Sequence, residues 1–347
     1  MSDARSALLS ALSDGPVSGP ELADRLGISR AAVWKHVESL REAGFAVESG
    51  PGGYAVESVP EYGADAVAFG LEAPYSVEYH ESIGSTNDRA RELAIDGSED
   101  AVVLAGEQTG GRGRLDREWS SPSGSVSMSV VCRPNVSPAE VPLLTLAAAV
   151  AVVRAAREAG VDAGIKWPND VLVSGGSTGR SDSNGTERKL AGILTEMEGE
   201  ADRVSWVIVG IGVNANVDFG RLPEGSTSLR AERGGREDVE RRVFVQRVLE
   251  EFHALRGEPD AILDAWREHA LTLGRRVRVE TPGGAVVGNA IDVEHPGTLL
   301  IETRGEESEK RGSERRGDER RGSEESGDET TIVRVHAGDC EHLRSAE

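Results

Sequence analysis

The residues best suited to chemistry lie in five short patches. The most distinctive is Gln108-Thr109-Gly110-Gly111-Arg112-Gly113-Arg114-Leu115-Asp116-Arg117-Glu118-Trp119, which separates two apolar stretches. Glycine lets backbone approach a ligand closely, and arginine supplies a planar fork of donors for carboxylate or phosphate oxygens. A second patch, Lys166-Trp167-Pro168-Asn169-Asp170, sets a lysine beside a bulky aromatic and a proline. A lysine ammonium is a compact charge that can sit against negative charge developing at phosphorus or a carbonyl. Ser85-Thr86-Asn87, Lys189-Leu190-Ala191-Gly192-Ile193-Leu194 and Gly210-Ile211-Gly212-Val213-Asn214 complete the set. Each also has a plain structural reading. The first loop reads as a basic surface turn, Lys166 as a salt-bridged strand end, Ser85 and Thr86 as helix caps, and the last two patches as strand ends.

These patches need elements to hold them. In residues 1–60, Ala4 to Leu12 fits a helix. Ser18 followed by Glu21 is a capping-box pattern opening a second, and Ser29 caps a third with Val33, Val37 and Leu40 on one face. A hairpin around Ser49-Gly50-Pro51-Gly52-Gly53 follows, which makes a winged helix-turn-helix. Residues 65–270 mix strands (Val102–Ala105, Ser125–Val131, Val171–Val173, Ile193–Met197, Val204–Val209) with helices (Asn87–Asp96, Leu143–Gly160, Val239–Leu255, Pro259–Ala270). The strands arrive largely in pairs, so an α+β fold with a mixed sheet is predicted rather than a doubly wound one. Residues 272–347 are strand-rich and fit a small β-barrel. Two low-complexity tracts, Ser174–Glu187 and Arg304–Glu329, cannot bury a core and read as mobile loops extending hairpin tips.

Composition narrows the class. The 347 residues carry 60 acids against 39 Lys+Arg, a net charge of −21. Only Lys35, Lys166, Lys189 and Lys310 are lysines. Acidic excess with few lysines suits a salt-rich cytosol, where screening makes such charge tolerable. The longest apolar run, Val141 to Val153, contains Pro142 and Thr145 and reads as a buried helix rather than a membrane span. The N-terminus lacks the blocks of a signal peptide, which points to the cytoplasm. Cys132 and Cys340 are too few for a disulfide framework or a cysteine-rich zinc site, and no His-Glu-x-x-His metal helix occurs. No lysine follows a glycine, so there is no Walker A loop. Gly175-Gly176-Ser177-Thr178-Gly179 matches a nucleophile elbow only by chance, within low complexity. Ser29, Arg30, Trp34 and Lys35 at the start of the third helix are candidate DNA contacts. Against that, residues 1–60 hold eight acids and five bases, not a basic footprint.

The order of the five patches resembles the biotin protein ligase family, in its form bearing an N-terminal repressor module. The likeness covers nearly the whole chain, apart from the two low-complexity tracts. It implies a class II synthetase-like catalytic domain followed by an SH3-like barrel. It also implies that biotin and ATP react to biotinyl-5′-adenylate, with Mg²⁺ assisting, and that biotin then passes to one lysine of a carboxylase's carrier domain. By the same resemblance Ser85, Thr86 and Asn87 line the ureido end of biotin and Gln108 borders it. Gly111, Arg112, Gly113 and Arg114 belong to a loop closing over the adenylate, Lys166 is the catalytic cation, and Lys189 and Asn214 stand near the nucleotide. Arg117 and Asp170 hold the site. Operator DNA and a ligand-dependent homodimer are further family-level expectations. Leu115-Asp116-Arg117 departs from the basic-glycine-basic continuation of repressor-type members, which bears on intermediate retention and dimer contacts. A lipoate-type ligase and a biotin-sensing repressor without ligase activity stay open as alternatives.

Overall fold

The computed structural model describes residues 3–13, 15–175, 187–304 and 330–343. Its N-terminal module contains α1 (Asp3–Ser13), α2 (Gly19–Leu26), α3 (Arg30–Glu42), β1 (Ala46–Gly50) and β2 (Gly53–Ser58). Ser18 Oγ accepts the Glu21 N–H at 3.3 Å, but the Glu21 carboxylate turns to Arg25, so only half of the capping box forms. Gly27 ends α2 at φ +64°, a left-handed cap suited to glycine. Ser29 caps α3 through the Ala32 N–H at 3.2 Å. Leu8, Leu9, Leu12, Leu22, Val33, Val37, Leu40, Phe45 and Val47 make a separate core. A short helix, α4 (Ala64–Ala68), leads out of it, tied back by Arg5 to Asp65 and forward by Gln246, whose amide donates to the Val67 and Phe69 carbonyls.

The central elements are β3 (Ser76–Ile83), α5 (Thr86–Ile95), β4 (Ala101–Gln108), β5 (Val126–Cys132), α6 (Pro142–Glu158), β6 (Ala163–Lys166), β7 (Asp170–Val173), β8 (Arg188–Gly199), β9 (Val204–Val213), α7 (Leu229–Glu232), α8 (Arg241–Leu255) and α9 (Pro259–His269). Seven strands form one sheet in the order β3-β4-β5-β9-β8-β7-β6. The β3–β4 pair is parallel and the others antiparallel, as strands arriving in pairs predict. Alternation assigns the two faces. Val207, Val209, Ile211 and Val213 of β9 join the core with α6, α8 and α9. Ile208, with Val103 and Val131, packs under Ala90 and Ala94 of α5. Residues 138–158, which are α6 with the turn before it, are long and apolar enough to cross a bilayer, yet most are buried as the core helix.

The C-terminal strands are β10 (Arg276–Thr281), β11 (Gly284–Glu294), β12 (Thr298–Arg304), β13 (Thr330–Val335) and β14 (Asp339–His342), in the order β13-β12-β11-β10-β14. In a flat sheet the edge strands β13 and β14 would lie about 19 Å apart, at about 4.8 Å per strand. The four steps from Val335 to Asp339 reach at most about 14 Å, so the sheet must curl into a partly open barrel. Val277, Val279, Ala290, Val293, Leu299, Ile301 and Val335 fill it, continuous with the catalytic core.

The low-complexity tracts connect antiparallel neighbours, β7 to β8 and β12 to β13, as hairpin extensions would. Their interiors, expected as mobile loops, lie outside the described residues, with the Gly-x-Ser-x-Gly match beyond Gly175 and with Lys310. Three strands escape sequence reading. β3 carries Glu78, His80 and Glu81 at the sheet edge, and β6 and β14 are four-residue strands without the Val-Leu-Val run that marks β7.

One buried histidine makes the fold sensitive to acid. His269 is buried at the end of α9, its Nδ1 3.1 Å from Arg157 Nη1 and its Nε2 without a hydrogen-bond partner. Burial first, and the Arg157 charge second, push its pKa below the ordinary 6.5. The folded chain thus keeps a neutral imidazole. Its contribution is fully present above the unfolded pKa and is lost as pH falls below it, because the unfolded chain then binds a proton that the folded one refuses. Denaturant titrations should show stability dropping between about pH 7 and pH 5. His269→Gln should flatten that slope, and an unchanged slope would remove His269 from the account.

Candidate active site

A cleft opens on the α5 face of the central sheet, where three glycines leave the strands bare. Gly192 of β8 pairs with Gly212 of β9, and Gly210 lies two residues along on the same face. A Cβ on Gly210 would stand 2.2 Å from Asn87 Oδ1, and one on Gly212 would stand 2.4 Å from Trp119 Nε1. The close approach read from these glycines is therefore made first by two of the protein's own side chains.

At one end, the N-terminus of α5 carries Ser85, Thr86 and Asn87, all buried. They are not simple caps, since Ser85 makes no side-chain capping bond. Gln108 Oε1 accepts the Thr86 N–H at 2.8 Å and lies 3.0 Å from Thr86 Oγ1, while Gln108 Nε2 donates to Ser121 Oγ. Ser129 Oγ donates to Asn87 Oδ1 at 2.6 Å, and Asn87 Nδ2 donates to Glu196 Oε2 at 2.7 Å. Arg91 holds the other Glu196 oxygen at 2.8 Å. The network orients the Asn87 amide and leaves Thr86 and Ser85 on the cleft wall. Ser129 and Glu196 were missed in the sequence. The alternation of Ser125, Ser127 and Ser129 within an apolar strand was the available signal.

The opposite wall is the arginine loop. Gly111 does not line the cleft; its Cβ would meet the Trp119 carbonyl at 2.5 Å, so it serves the crossing of the loop over itself. Arg112 pairs with Asp88. Arg114 donates to Asn169 Oδ1 at 3.0 Å and to the Gly338 carbonyl at 2.8 Å. Arg117 pairs with Asp339. The loop is thus stitched to α5, to the turn after β6 and to the start of β14. Leu115 at its tip has φ +56° and is 73% exposed, a left-handed conformation that leucine seldom adopts. Trp119, which sequence reasoning left without a role, lies over the glycine floor.

Of the two lysines expected at the site, one lines the cleft. Lys166 does not line the cleft. It ends β6, half-buried, and its charge bears on Glu187 and the Cys340 thiol. Lys189 lines the cleft, with Nζ 2.7 Å from Asp170 Oδ1 and 5.4 Å from the Trp119 ring centre. Trp167 is wholly structural, donating from Nε1 to the Gly297 carbonyl at 2.9 Å. Asn214 also lines the cleft, its amide held by the Thr227 carbonyl at 3.0 Å. Beside Lys166, burial would raise the Glu187 carboxyl, but His342, Arg275 and Lys166 outweigh it and hold it below the usual carboxylate range.

Chemically, the cleft has a neutral amide-and-hydroxyl end, a glycine floor capped by an indole, and a cationic end of Arg112, Arg114 and Lys189. That suits a ligand with an amide-like head and an anionic tail, brought against a second anion. No cluster of three or more metal-ligating side chains exists among the described residues. In the N-terminal module Ser29, Arg30, Trp34 and Lys35 form an exposed face of α3, Trp34 at 54%. Arg41, by contrast, is occupied by Glu38 and the Val47 carbonyl.

Comparison with known proteins agrees with this geometry. The biotin/lipoate A/B protein ligase family matches residues 79–214, a helix-turn-helix domain residues 5–55, and the biotin protein ligase C-terminal domain residues 272–343. The bifunctional ligase/repressor BirA of Bacillus subtilis is 38% identical over 83% of this chain and 89% of its own length. BirA of Escherichia coli is 30% identical over 86% and 92% respectively. The biotin protein ligase of Aquifex aeolicus, solved with biotin and ATP, shares the fold with a TM-score of 0.55 at 24% identity, over 78% of this chain and 99% of that one. With these likenesses spanning the catalytic core and both flanking modules, the chain belongs to the biotin protein ligase family, in the form that carries an N-terminal helix-turn-helix domain.

Proposed function

We propose that this protein activates biotin with ATP and transfers it to a lysine of a biotin carboxyl carrier domain. The observation that carries the reading is one cleft holding both the Thr86–Gln108–Asn87 network and the Arg112, Arg114 and Lys189 cations. The network presents short donors and acceptors to the ureido ring. The biotin carboxylate must attack the α-phosphate although both are anionic. Lys189, with its neighbours, offsets that repulsion and stabilises the pentavalent transition state as pyrophosphate leaves. Lys189 thereby takes the role that the sequence assigned to Lys166, exchanging its Asp170 partner for the ligand. The loop then covers the mixed anhydride from water until the carrier amine attacks its acyl carbon and AMP departs. Mg²⁺ would act as a companion of the ATP phosphates rather than sit in a protein cage, with Asp170 a cleft carboxylate that would hold it, and it would neutralise triphosphate charge. Biotin is preferred to lipoate because the ureido ring, unlike a dithiolane, uses the hydrogen-bonding network.

The winged helix is proposed to read operator DNA through Arg30, Trp34 and Lys35, with Ser29 opening the helix toward a phosphate. Neither Arg30 nor Lys35 has an ion-pair partner among the described residues, in a protein where most arginines do. Ligand-dependent dimerisation, a cytoplasmic location, adaptation to salt and the division at 1–60, 65–270 and 272–347 belong to the same proposal.

Lys189→Ala should lower the rate of adenylate formation about a hundredfold or more, measured by biotin-dependent pyrophosphate release, and Lys166→Ala should lower it less. The reverse order would return the role to Lys166. Gly212→Ala should push the Trp119 indole off the floor and weaken biotin binding at least about tenfold by calorimetry, since a 2.4 Å approach cannot be absorbed by backbone. Unaltered affinity would exclude Trp119 from the pocket. Arg30→Ala and Lys35→Ala should each lower the slope of log K against log salt for operator DNA by about 1. An unaltered slope would leave α3 without phosphate contacts.

A further inference from the structure

We infer that Glu232 is a positioning residue for Lys189, acting through Arg188 to select the register of β8. This rests on Lys189 being the cleft cation. The Glu232 side chain is only 3% exposed, on the one-turn helix α7, outside the group of residues given roles above. Arg188 Nη2 lies 2.9 Å from Glu232 Oε1 and 3.1 Å from Oε2, and Thr227 Oγ1 donates to Oε1. The same segment is laced to the lysine's backbone. The Lys189 N–H donates to the Gly225 carbonyl at 2.8 Å, and the Thr227 N–H donates to the Lys189 carbonyl at 2.9 Å.

Adjacent strand residues face opposite sides of a sheet, and a slip of one residue exchanges them. Arg188 held against Glu232 on one side therefore obliges Lys189 to face the cleft on the other. The start of β8 needs such a device for two reasons. The β7–β8 ladder shifts register between Val171, paired with Ala191, and Leu172, paired with Lys189, so the pairing is irregular beside the lysine. And the connection from Val173 to Arg188 spans 14 residues, too long for turn geometry to set the register as a tight hairpin does. A buried ion pair adds little net stability over an apolar pair of similar size; what it adds is a directional tie that only one register satisfies.

The test compares Glu232→Gln, the double variant Arg188→Met/Glu232→Met, and Arg188→Lys in the full-length protein, with Lys189→Ala alongside. Glu232→Gln should lower kcat for biotin-dependent pyrophosphate release about ten- to a hundredfold, with the KM for biotin within about threefold. Arg188→Lys, which keeps the charge pair, should retain most of kcat. The double variant removes both charges together, so thermal stability should return to near wild type while kcat stays low. Wild-type kcat in the double variant would overturn the proposal, and so would a fall in stability that accounts for the whole loss in Glu232→Gln. Should Glu232→Gln fail to fold, the double variant decides alone. Wild-type turnover in Lys189→Ala would instead refute the role of Lys189 itself, a separate failure.

Discussion

The site depends on the absence of two Cβ atoms, those of Gly210 and Gly212. Gly192, Gly210 and Gly212 form a bare patch on a sheet face that elsewhere packs under α5, and both Asn87 and Trp119 rest on it at distances no other residue would permit. Cores are packed too tightly for such overlaps to be relieved by small shifts. With the glycines in place, Asn87 can turn its carbonyl to Ser129 and its amide to Glu196, which fixes the polar end of the cleft. Trp119 can lie flat and bring its ring beneath Lys189. The cationic and neutral ends are thus two consequences of one backbone feature.

Charge distribution explains why the cleft still attracts anions in a protein of net charge −21. Arg112, Arg114 and Arg117 are each engaged, yet by different partners: a carboxylate of α5, neutral oxygens of Asn169 and Gly338, and Asp339. Arg114 alone is held by uncharged acceptors, so it orders the loop while its charge stays uncompensated. Lys189 is balanced by Asp170 but remains about one-third exposed, so an incoming carboxylate or phosphate can compete for it. The acidic surface keeps long-range attraction weak, and short-range fixed donors have to do the binding.

Much of this was legible from residue order and periodicity. The three N-terminal helices and their caps follow from Ser18, Ser29 and the apolar spacing, because capping and burial are local and act within one helical turn. The mixed sheet follows from paired strands. The lysine roles were not legible. Lys166 pairs with Asp170 and so shares the cleft's face of the sheet but lies one strand beyond it, whereas the approach of Lys189 to Asp170 depends on the bulge at Leu190 and on α7, some 40 residues away in sequence. The apolar run Val141 to Val153, read as a buried helix from its Pro142 and Thr145, is indeed buried in the core with α8 and α9. The serine alternation marked Ser129, but that Ser129 and Glu196 both meet Asn87 of α5 is a non-local fact that the sequence does not show.

The curled C-terminal sheet raises the question of why a catalytic domain should carry it. Its contribution at the cleft comes from one turn. Gly338 offers its carbonyl to Arg114, and Asp339 pairs with Arg117. Gly338 sits where a Cβ would strike Val279 at 2.5 Å, so the turn between β13 and β14 is pressed directly onto β10. That turn is also what forces the sheet to curl, because it joins opposite edges. Curvature and loop anchoring therefore have one origin. Flattening the sheet would carry Gly338 and Asp339 away from the arginines and free one side of the loop. The small barrel acts as a rigid post for the loop, and its stability is coupled to how the loop is held.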